Sequence, residues 1–89
     1  MAYRVFLEDK AAKQIAKLDA TVRSRVLEAL RELEKGFSAR LDIKKLKGTK
    51  YHYRIRVGDY RILFMLESNK ALVYDVSHKA SMTSAPLHR

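Results

Sequence analysis

The chain has 89 residues, 47% hydrophobic and 33% charged, which supports a folded globule with one core and leaves no room for a second. Cysteine is absent, which excludes disulfides and thiolate metal sites. Nineteen Lys and Arg against ten Asp and Glu give a formal net charge of +9, and such an excess favours polyanionic partners, nucleic acid before acidic protein.

The sequence also indicates where the protein is located and whether it needs a cofactor. The segment 1–10 has acidic residues directly after a brief apolar stretch, and nowhere does the chain approach the roughly 18 continuous apolar residues of a membrane span. We therefore predict a cytoplasmic protein without membrane contact. The only imidazole groups belong to His52, His78 and His88. Their spacing matches no metal site, so we predict neither a metal nor any other cofactor. We expect a single domain over 1–89, with 80–89 as a flexible tail.

The first half of the sequence predicts a strand followed by two helices. Residues 2–7 alternate polar and apolar side chains, as an edge strand does. Asp9 is the expected cap of a helix that continues to about Leu18. Asp19 is the expected cap of a second helix, whose apolar residues recur at helical spacing until Gly36. Two amphipathic helices in succession predict a helical hairpin.

The second half predicts strands. The segment 36–48 has no clean period, and we interpret it as a connecting loop with a short extended stretch. The run 51–66 alternates with a period of two on both sides of Gly58 and Asp59, which predicts a β-hairpin with a type II′ turn. Residues 71–77 form a further strand. The predicted fold class is α+β, a small antiparallel sheet packed on the N-terminal helical hairpin in the order β-α-α-β-β-β.

The hairpin register divides its side chains between two faces. With Gly58 and Asp59 as turn residues, position 57 pairs with 60 and position 56 with 61. The face expected to pack on the helices carries Tyr53, Ile55, Val57, Tyr60, Ile62 and Phe64. The opposite face carries His52, Arg54, Arg56, Arg61, Leu63 and Met65.

This register places Arg56 directly across from Arg61. Like charges at that separation oppose folding unless an anion neutralises them, and guanidinium groups match phosphate oxygens through bidentate hydrogen bonds. Phosphate is therefore the predicted ligand. The alternative is that the arginine side chains diverge into water and are screened by Asp59 or Asp75. The apolar side chains beside the arginines favour a contact surface.

The run LKGTKYHYRIRVGDYRILF, residues 46–64, resembles the RelE/ParE toxin superfamily, whose members share a Leu-Lys-Gly element followed by a basic hairpin with Tyr-Arg pairs. The predicted order of elements also resembles that family's fold, and the likeness spans roughly residues 2–79. The resemblance implies a cognate antitoxin that wraps the toxin, and either ribosome-dependent mRNA cleavage or gyrase inhibition.

In the RelE branch, the resemblance implies attack of an mRNA 2′-hydroxyl on its adjacent phosphate without a metal, yielding a cyclic phosphate and a 5′-hydroxyl. Such a reaction needs a base, cations on the phosphoryl oxygens and an acid for the leaving oxygen. By position in the motif, Arg61 matches the arginine that holds the reacting phosphate. The predicted catalytic residues are Arg54, Arg56, Arg61 and Lys79. The predicted RNA-binding residues are Lys44, Lys45, Lys47, Lys50, His52 and His78. For any one of these lysines, an ordinary solvated loop is an equally good interpretation.

The C-terminal segment departs from the family pattern. RelE-like chains carry a catalytic tyrosine shortly after the last strand, whereas no tyrosine follows Tyr74 here. Three interpretations stay open: a weak or inactive toxin, a variant disarmed for expression, or a member that uses other residues. For the third, His52 is the candidate proton carrier because it shares a face with Arg54, and His52→Ala should then abolish cleavage.

Three functions therefore compete. The first is a ribosome-dependent mRNA endonuclease neutralised by an antitoxin. The second is a ParE-like inhibitor that binds gyrase and cuts nothing. The third is a catalytically impaired homologue that binds ribosomes or RNA and leaves mRNA intact.

Overall fold

The computed structural model describes residues 2–80, which form two helices and one five-stranded sheet. The elements are β1 Arg4–Leu7, α1 Asp9–Ala16, α2 Ala20–Glu34, β2 Asp42–Lys45, β3 His52–Val57, β4 Tyr60–Glu67 and β5 Lys70–His78. The predicted α+β class with an N-terminal helical hairpin is confirmed. Within the described residues, neither helix is long and apolar enough to cross a membrane. The tail predicted from position 80 lies, from 81 onward, outside the described residues.

The helix ends follow from local chemistry. Asp19 caps α2 as predicted, because its side chain accepts a hydrogen bond from the Val22 N–H at 2.9 Å. The prediction for α1 is wrong by one residue: Glu8 occupies the cap position and Asp9 is the first helical residue. The chain leaves α2 through Gly36, whose φ of 114° is a conformation that residues with a β-carbon rarely adopt.

The sheet has the strand order β1-β5-β4-β3-β2 and differs from the prediction in two respects. β1 pairs with β5 in parallel, so the sheet is mixed and not purely antiparallel. The segment interpreted as a connecting loop with a short extended stretch contains β2, which was not predicted to join the sheet and pairs antiparallel with β3 at its edge. Both features depend on a strand that is distant in sequence, and the alternation of side chains within one segment does not reveal its partner.

The β3–β4 hairpin has the predicted register, with Val57 opposite Tyr60 across the turn. Gly58 has a φ of 59°, whereas Asp59 has no positive φ, which agrees with a type II′ turn. β4 and β5 form a second hairpin. A register shift between Leu63 and Phe64 leaves Tyr74 as an extra residue in β5, a β-bulge that the sequence does not signal.

The core lies between the helices and one face of the sheet. Ile55, Ile62 and Phe64 of the hairpin and Leu33 of α2 have no exposed surface. Tyr53 stacks on Phe64 with ring centroids 5.6 Å apart. The predicted core face of the hairpin is therefore confirmed, and the opposite face of the sheet is the surface that remains for function.

Candidate functional site

The sheet surface turned away from the helices carries all three predicted arginines, and we call it the arginine face. Strand register assigns the members that surround the arginines, from β2 to β5. They are Asp42 and Lys44 from β2, His52, Arg54 and Arg56 from β3, Arg61, Leu63 and Met65 from β4, and Tyr74, Asp75 and Ser77 from β5. The same face continues toward its far edge with Glu67, Lys70, Leu72 and the β1 residues Arg4 and Phe6. The hairpin part of this grouping agrees with the sequence prediction, whereas the β2 and β5 members required the structure.

Arg61 is the least satisfied cation of the arginine face. It lies directly opposite Arg56, as predicted. Its Nε is buried and has no hydrogen-bond partner, and within residues 2–80 it forms no ion pair. A buried donor without an acceptor costs about 1–3 kcal/mol, so this position gains from an anion that accepts from the guanidinium.

Arg54 and Arg56 share a single carboxylate, that of Asp42. The Arg56 Nε donates to Asp42 Oδ2 at 3.1 Å, and the Arg54 Nη1 donates to Asp42 Oδ1 at 3.4 Å. Asp42 reaches both because it lies on β2, opposite Arg56 in the register. One carboxylate thus serves two arginines and does not reach Arg61, so the cluster remains cationic.

The alternative interpretation named Asp59 or Asp75 as screening carboxylates, but within the described residues neither forms an ion pair with these arginines. Asp59 pairs with Lys79 at 3.7 Å, beside the hairpin turn. Asp75 pairs with Lys10 of α1 at 3.1 Å. The screening residue, Asp42, could not be recognised in the sequence because the pairing of its short extended stretch with β3 was not predicted.

Asp75 connects the arginine face to α1. Gln14 Nε2 donates to its Oδ1 at 3.0 Å, and Ser77 Oγ donates to its Oδ2 at 2.8 Å. Burial by itself raises the pKa of the Asp75 carboxyl, but the hydrogen bonds from Gln14 and Ser77 and the charge of Lys10 outweigh it, so its pKa lies below the ordinary value. The Asp75 side chain is thus a carboxylate whose charge is already satisfied by Gln14, Ser77 and Lys10.

His52 forms a pair with Tyr74 that sequence reasoning missed. The Tyr74 hydroxyl lies 2.9 Å from His52 Nδ1, and the two rings meet edge to face at 5.5 Å. Burial, with the negative charges of Asp75 and Glu8, raises the pKa of the Tyr74 hydroxyl, so it is neutral near pH 7. The contact occupies Nδ1 of the imidazole and leaves Nε2 as its second functional nitrogen. Tyr74 shares this face because of the bulge, for which the sequence carries no local signal.

The predicted RNA-binding lysines do not share one surface. Lys44 pairs with Arg54 and lies on the arginine face, whereas its neighbour Lys45 pairs with Tyr53 and lies on the other face. Lys47 and Lys50 are exposed in the connection between β2 and β3. Of these four lysines, only Lys44 therefore extends the arginine cluster directly. The reason is that successive side chains of β2 point to opposite faces of the sheet.

His78 and Lys79 lie near the hairpin turn, as predicted, but His78 does not join the arginines. It pairs with Tyr60 and contacts that ring at 5.2 Å on the helix side, whereas Ser77 is the residue opposite Arg61. The Lys79 N–H donates to the Asp59 carbonyl at 2.8 Å. This contact holds Lys79 at the turn.

The described residues contain no cluster of three or more His, Cys, Asp or Glu side chains that could hold a metal ion. The site thus consists of cations, one shared carboxylate, an imidazole–phenol pair and apolar side chains. Fold and site together define a small basic α+β domain with an arginine-bearing sheet surface.

The sequence model of the family described as ParE toxin of type II toxin-antitoxin system, parDE, matches residues 5–82. The chain therefore belongs to this family of type II toxins, and the RelE-like resemblance is confirmed.

Relatives within the family support the same assignment. The chain is 30% identical over 82 residues to Toxin RelE3 of Methanocaldococcus jannaschii, covering 89% of this chain and 93% of that protein. It is 30% identical over 79 residues to mRNA interferase toxin RelE of Escherichia coli K12, covering 86% and 81%. The crystal structure of a RelB-RelE antitoxin-toxin complex from Methanococcus jannaschii matches with a TM-score of 0.79 and 28% identity, covering 90% and 96%.

Proposed function

We propose that this chain is the toxin of a type II toxin-antitoxin system and cleaves mRNA on the ribosome by attack of a 2′-hydroxyl on the adjacent phosphate. The observation that carries the proposal is the convergence of Arg54, Arg56 and Arg61 on one sheet face, where Arg61 forms no ion pair with any residue from 2 to 80. The names of the E. coli and M. jannaschii relatives support the toxin class, and the E. coli name includes mRNA interferase.

The proposed chemistry uses the cations to stabilise charge. The 2′-oxygen forms a bond to phosphorus, the bond from phosphorus to the 5′-oxygen breaks, and the products are a cyclic phosphate and a 5′-hydroxyl. The 2′-hydroxyl proton passes to a base, and the leaving oxygen gains a proton from an acid. Arg61 and Arg56 hold the phosphoryl oxygens, on which negative charge increases in the transition state. Arg54, Lys79 and Lys44 add positive charge around them.

We propose a cognate antitoxin as the protein partner, in the cytoplasm, alongside the ribosome and mRNA. The M. jannaschii neighbour was crystallised as an antitoxin–toxin complex, which supports such a partner here. The net charge of +9 favours acidic antitoxin segments, and the half-buried Leu63 and Met65 favour apolar ones.

The first prediction tests this activity with Arg61→Ala. We expect wild-type protein, incubated with translating ribosomes and mRNA, to produce discrete breaks that primer extension maps within the coding region. Arg61→Ala should reduce cleavage at least about 100-fold, as loss of one donor to a developing oxyanion does. Arg31→Ala is the matched control, because Arg31 is exposed in the last turn of α2, away from the sheet face, and it should cleave like wild type.

Two outcomes would contradict the proposal. Intact mRNA from wild-type protein that demonstrably binds ribosomes would reject catalysis and leave an RNA- or ribosome-binding homologue. Equal cleavage by wild type and Arg61→Ala would reject the site.

The second candidate function is inhibition of gyrase without cleavage. The family model that matches the chain is that of ParE toxins, and no tyrosine follows Tyr74 in the sequence. A supercoiling assay without ribosomes discriminates the two: inhibition together with intact mRNA would favour the gyrase inhibitor.

A further inference from the structure

In the part of the chain that the structure describes, Asp42 is the one carboxylate that pairs with the arginine cluster, and its contacts are those of a replaceable anion. Its side chain is 48% exposed and that of Arg56 is 52% exposed. The Asp42 carboxylate accepts one hydrogen bond from the Arg56 Nε, at 3.1 Å, and one from the Arg54 Nη1, at 3.4 Å. Neither guanidinium binds both carboxylate oxygens in a bidentate pair. The Arg56–Asp42 pair is exposed on both sides, and pairs of this kind contribute little to stability, about 0–1 kcal/mol. The Arg54 side chain is only 16% exposed, and its contact with Asp42 is the longer one, at 3.4 Å.

We propose that Asp42 is an internal competitor for substrate phosphate. In the free protein its carboxylate occupies the guanidinium groups of Arg54 and Arg56, and an RNA phosphate must displace it to reach them. The inference rests on the proposed function only in requiring that the arginine face receives RNA phosphates.

Geometry favours the phosphate over the carboxylate in this exchange. Asp42 is confined to β2 and contacts only the β3 arginines, whereas Arg61 lies on β4 across from Arg56 and keeps an unpaired Nε. A phosphate seated between β3 and β4 can accept from Arg56 and Arg61 together. It therefore gains a second guanidinium, that of Arg61, which Asp42 does not reach and which forms no ion pair within residues 2–80.

This competition sets a threshold for binding. Every anion that takes this position must first displace the Asp42 carboxylate, so each one binds more weakly by the same amount. An RNA strand can still bind usefully because it brings neighbouring phosphates for Lys44 and the exposed lysines. Asp42 thus raises the intrinsic affinity that a ligand needs in order to occupy the arginine face.

The experiment measures binding without cleavage. Full-length wild type and Asp42→Asn are titrated into a fluorescent 2′-O-methyl oligoribonucleotide, which lacks the attacking hydroxyl, at low ionic strength. Asp42→Asn should bind about 3–5-fold more tightly, the range expected for release of an exposed ion pair. Glu34→Gln is the matched control, since it removes one exposed carboxylate at the end of α2, and its affinity should change by about 1.5-fold or less.

A double-mutant cycle separates local competition from net charge. In the Arg54→Gln/Arg56→Gln background the ion pairs are absent, so Asp42→Asn should have no larger effect than Glu34→Gln. Thermal unfolding of each variant verifies that the domain is folded.

Three results would overturn the inference. The first is an Asp42→Asn affinity equal to that of Glu34→Gln, and the second is an absence of RNA binding by the wild type. The third is an Asp42→Asn affinity weaker than that of the wild type, which would make Asp42 a residue that positions the arginines. Cleavage does not enter these measurements. Intact mRNA in the ribosome assay would reject the proposed function and leave the Asp42 inference unaffected. An unaltered Asp42→Asn affinity would reject the Asp42 inference and leave the proposed function unaffected.

Discussion

At the scale of single residues, the arginine face contains an arrangement that folding alone does not favour. Arg56 and Arg61 are cross-strand neighbours, and Arg61 also has a buried Nε without an acceptor. Like charges opposite each other destabilise a strand pair, and an unsatisfied donor adds to that cost. Groups that cost stability in the free protein and match an anion are typical of binding sites.

The second prediction follows from this cost. Arg61→Met keeps a long apolar stem and removes both the repulsion and the unpaired donor, so the free energy of unfolding should rise by about 0.5–1 kcal/mol while cleavage is lost. Urea unfolding measures the change. Arg54→Met is the control, because it sacrifices a contact with Asp42 and should not stabilise the protein. A less stable Arg61→Met would show that the guanidinium has a favourable partner in solution.

At the scale of elements, a side chain continues the sheet where a strand ends. β1 stops pairing with β5 at Leu7 opposite Val73, and beyond that point Gln14 of α1 occupies the edge. Its Oε1 accepts from the Val76 N–H at 2.7 Å, and its Nε2 donates to Asp75 at 3.0 Å. α1 is therefore fastened to β5 by polar contacts as well as by its buried Ala11 and Ile15.

The third prediction concerns the pH dependence of this junction. The pKa of the Asp75 carboxyl is lowered in the folded state, so its stabilisation is present above the ordinary carboxyl pKa of 3.8 and is lost as pH falls through the lower, folded pKa. At pH 7 we expect Asp75→Asn to be less stable by about 1 kcal/mol. The difference should shrink steadily below about pH 4. Denaturant titrations at several pH values measure it, and a difference that stays constant into acid would contradict the assignment.

At the scale of the whole molecule, charge is divided unevenly between surfaces. The arginine face carries Lys44 and three arginines, with Lys70 and Arg4 toward its far edge, against Asp42, Asp75 and Glu67, and Asp75 is already paired with Lys10. The cations therefore predominate on the side away from the helices. Such a surface attracts polyanions and makes their binding sensitive to salt.

The fourth prediction uses two adjacent lysines on opposite faces. Each contact with a phosphate of single-stranded RNA contributes about −0.7 to the slope of log K against log salt concentration. Lys44→Gln should therefore make the slope shallower by about 0.7, whereas Lys45→Gln should leave it unchanged because Lys45 lies on the other face. Oligonucleotide binding over a salt series measures both slopes. Equal effects of the two substitutions would place the RNA elsewhere.

The sequence by itself determined the two helices, the hairpin register and the face that carries Arg54, Arg56 and Arg61. These features depend on periodicity, on Asp19 as a cap and on Gly58 at the turn, all of which act within a few residues. The position of Arg56 opposite Arg61 follows directly from the turn, so the central part of the candidate site was predictable.

Only the tertiary structure decided what surrounds these arginines. Four features depend on strands that meet from distant parts of the chain. They are the parallel pairing of β1, the strand that carries Asp42, the separation of Lys44 from Lys45, and the bulge that directs Tyr74 to His52. Such pairings are selected by the packing of the whole sheet, because a short polar strand carries too little local preference to specify its own partner.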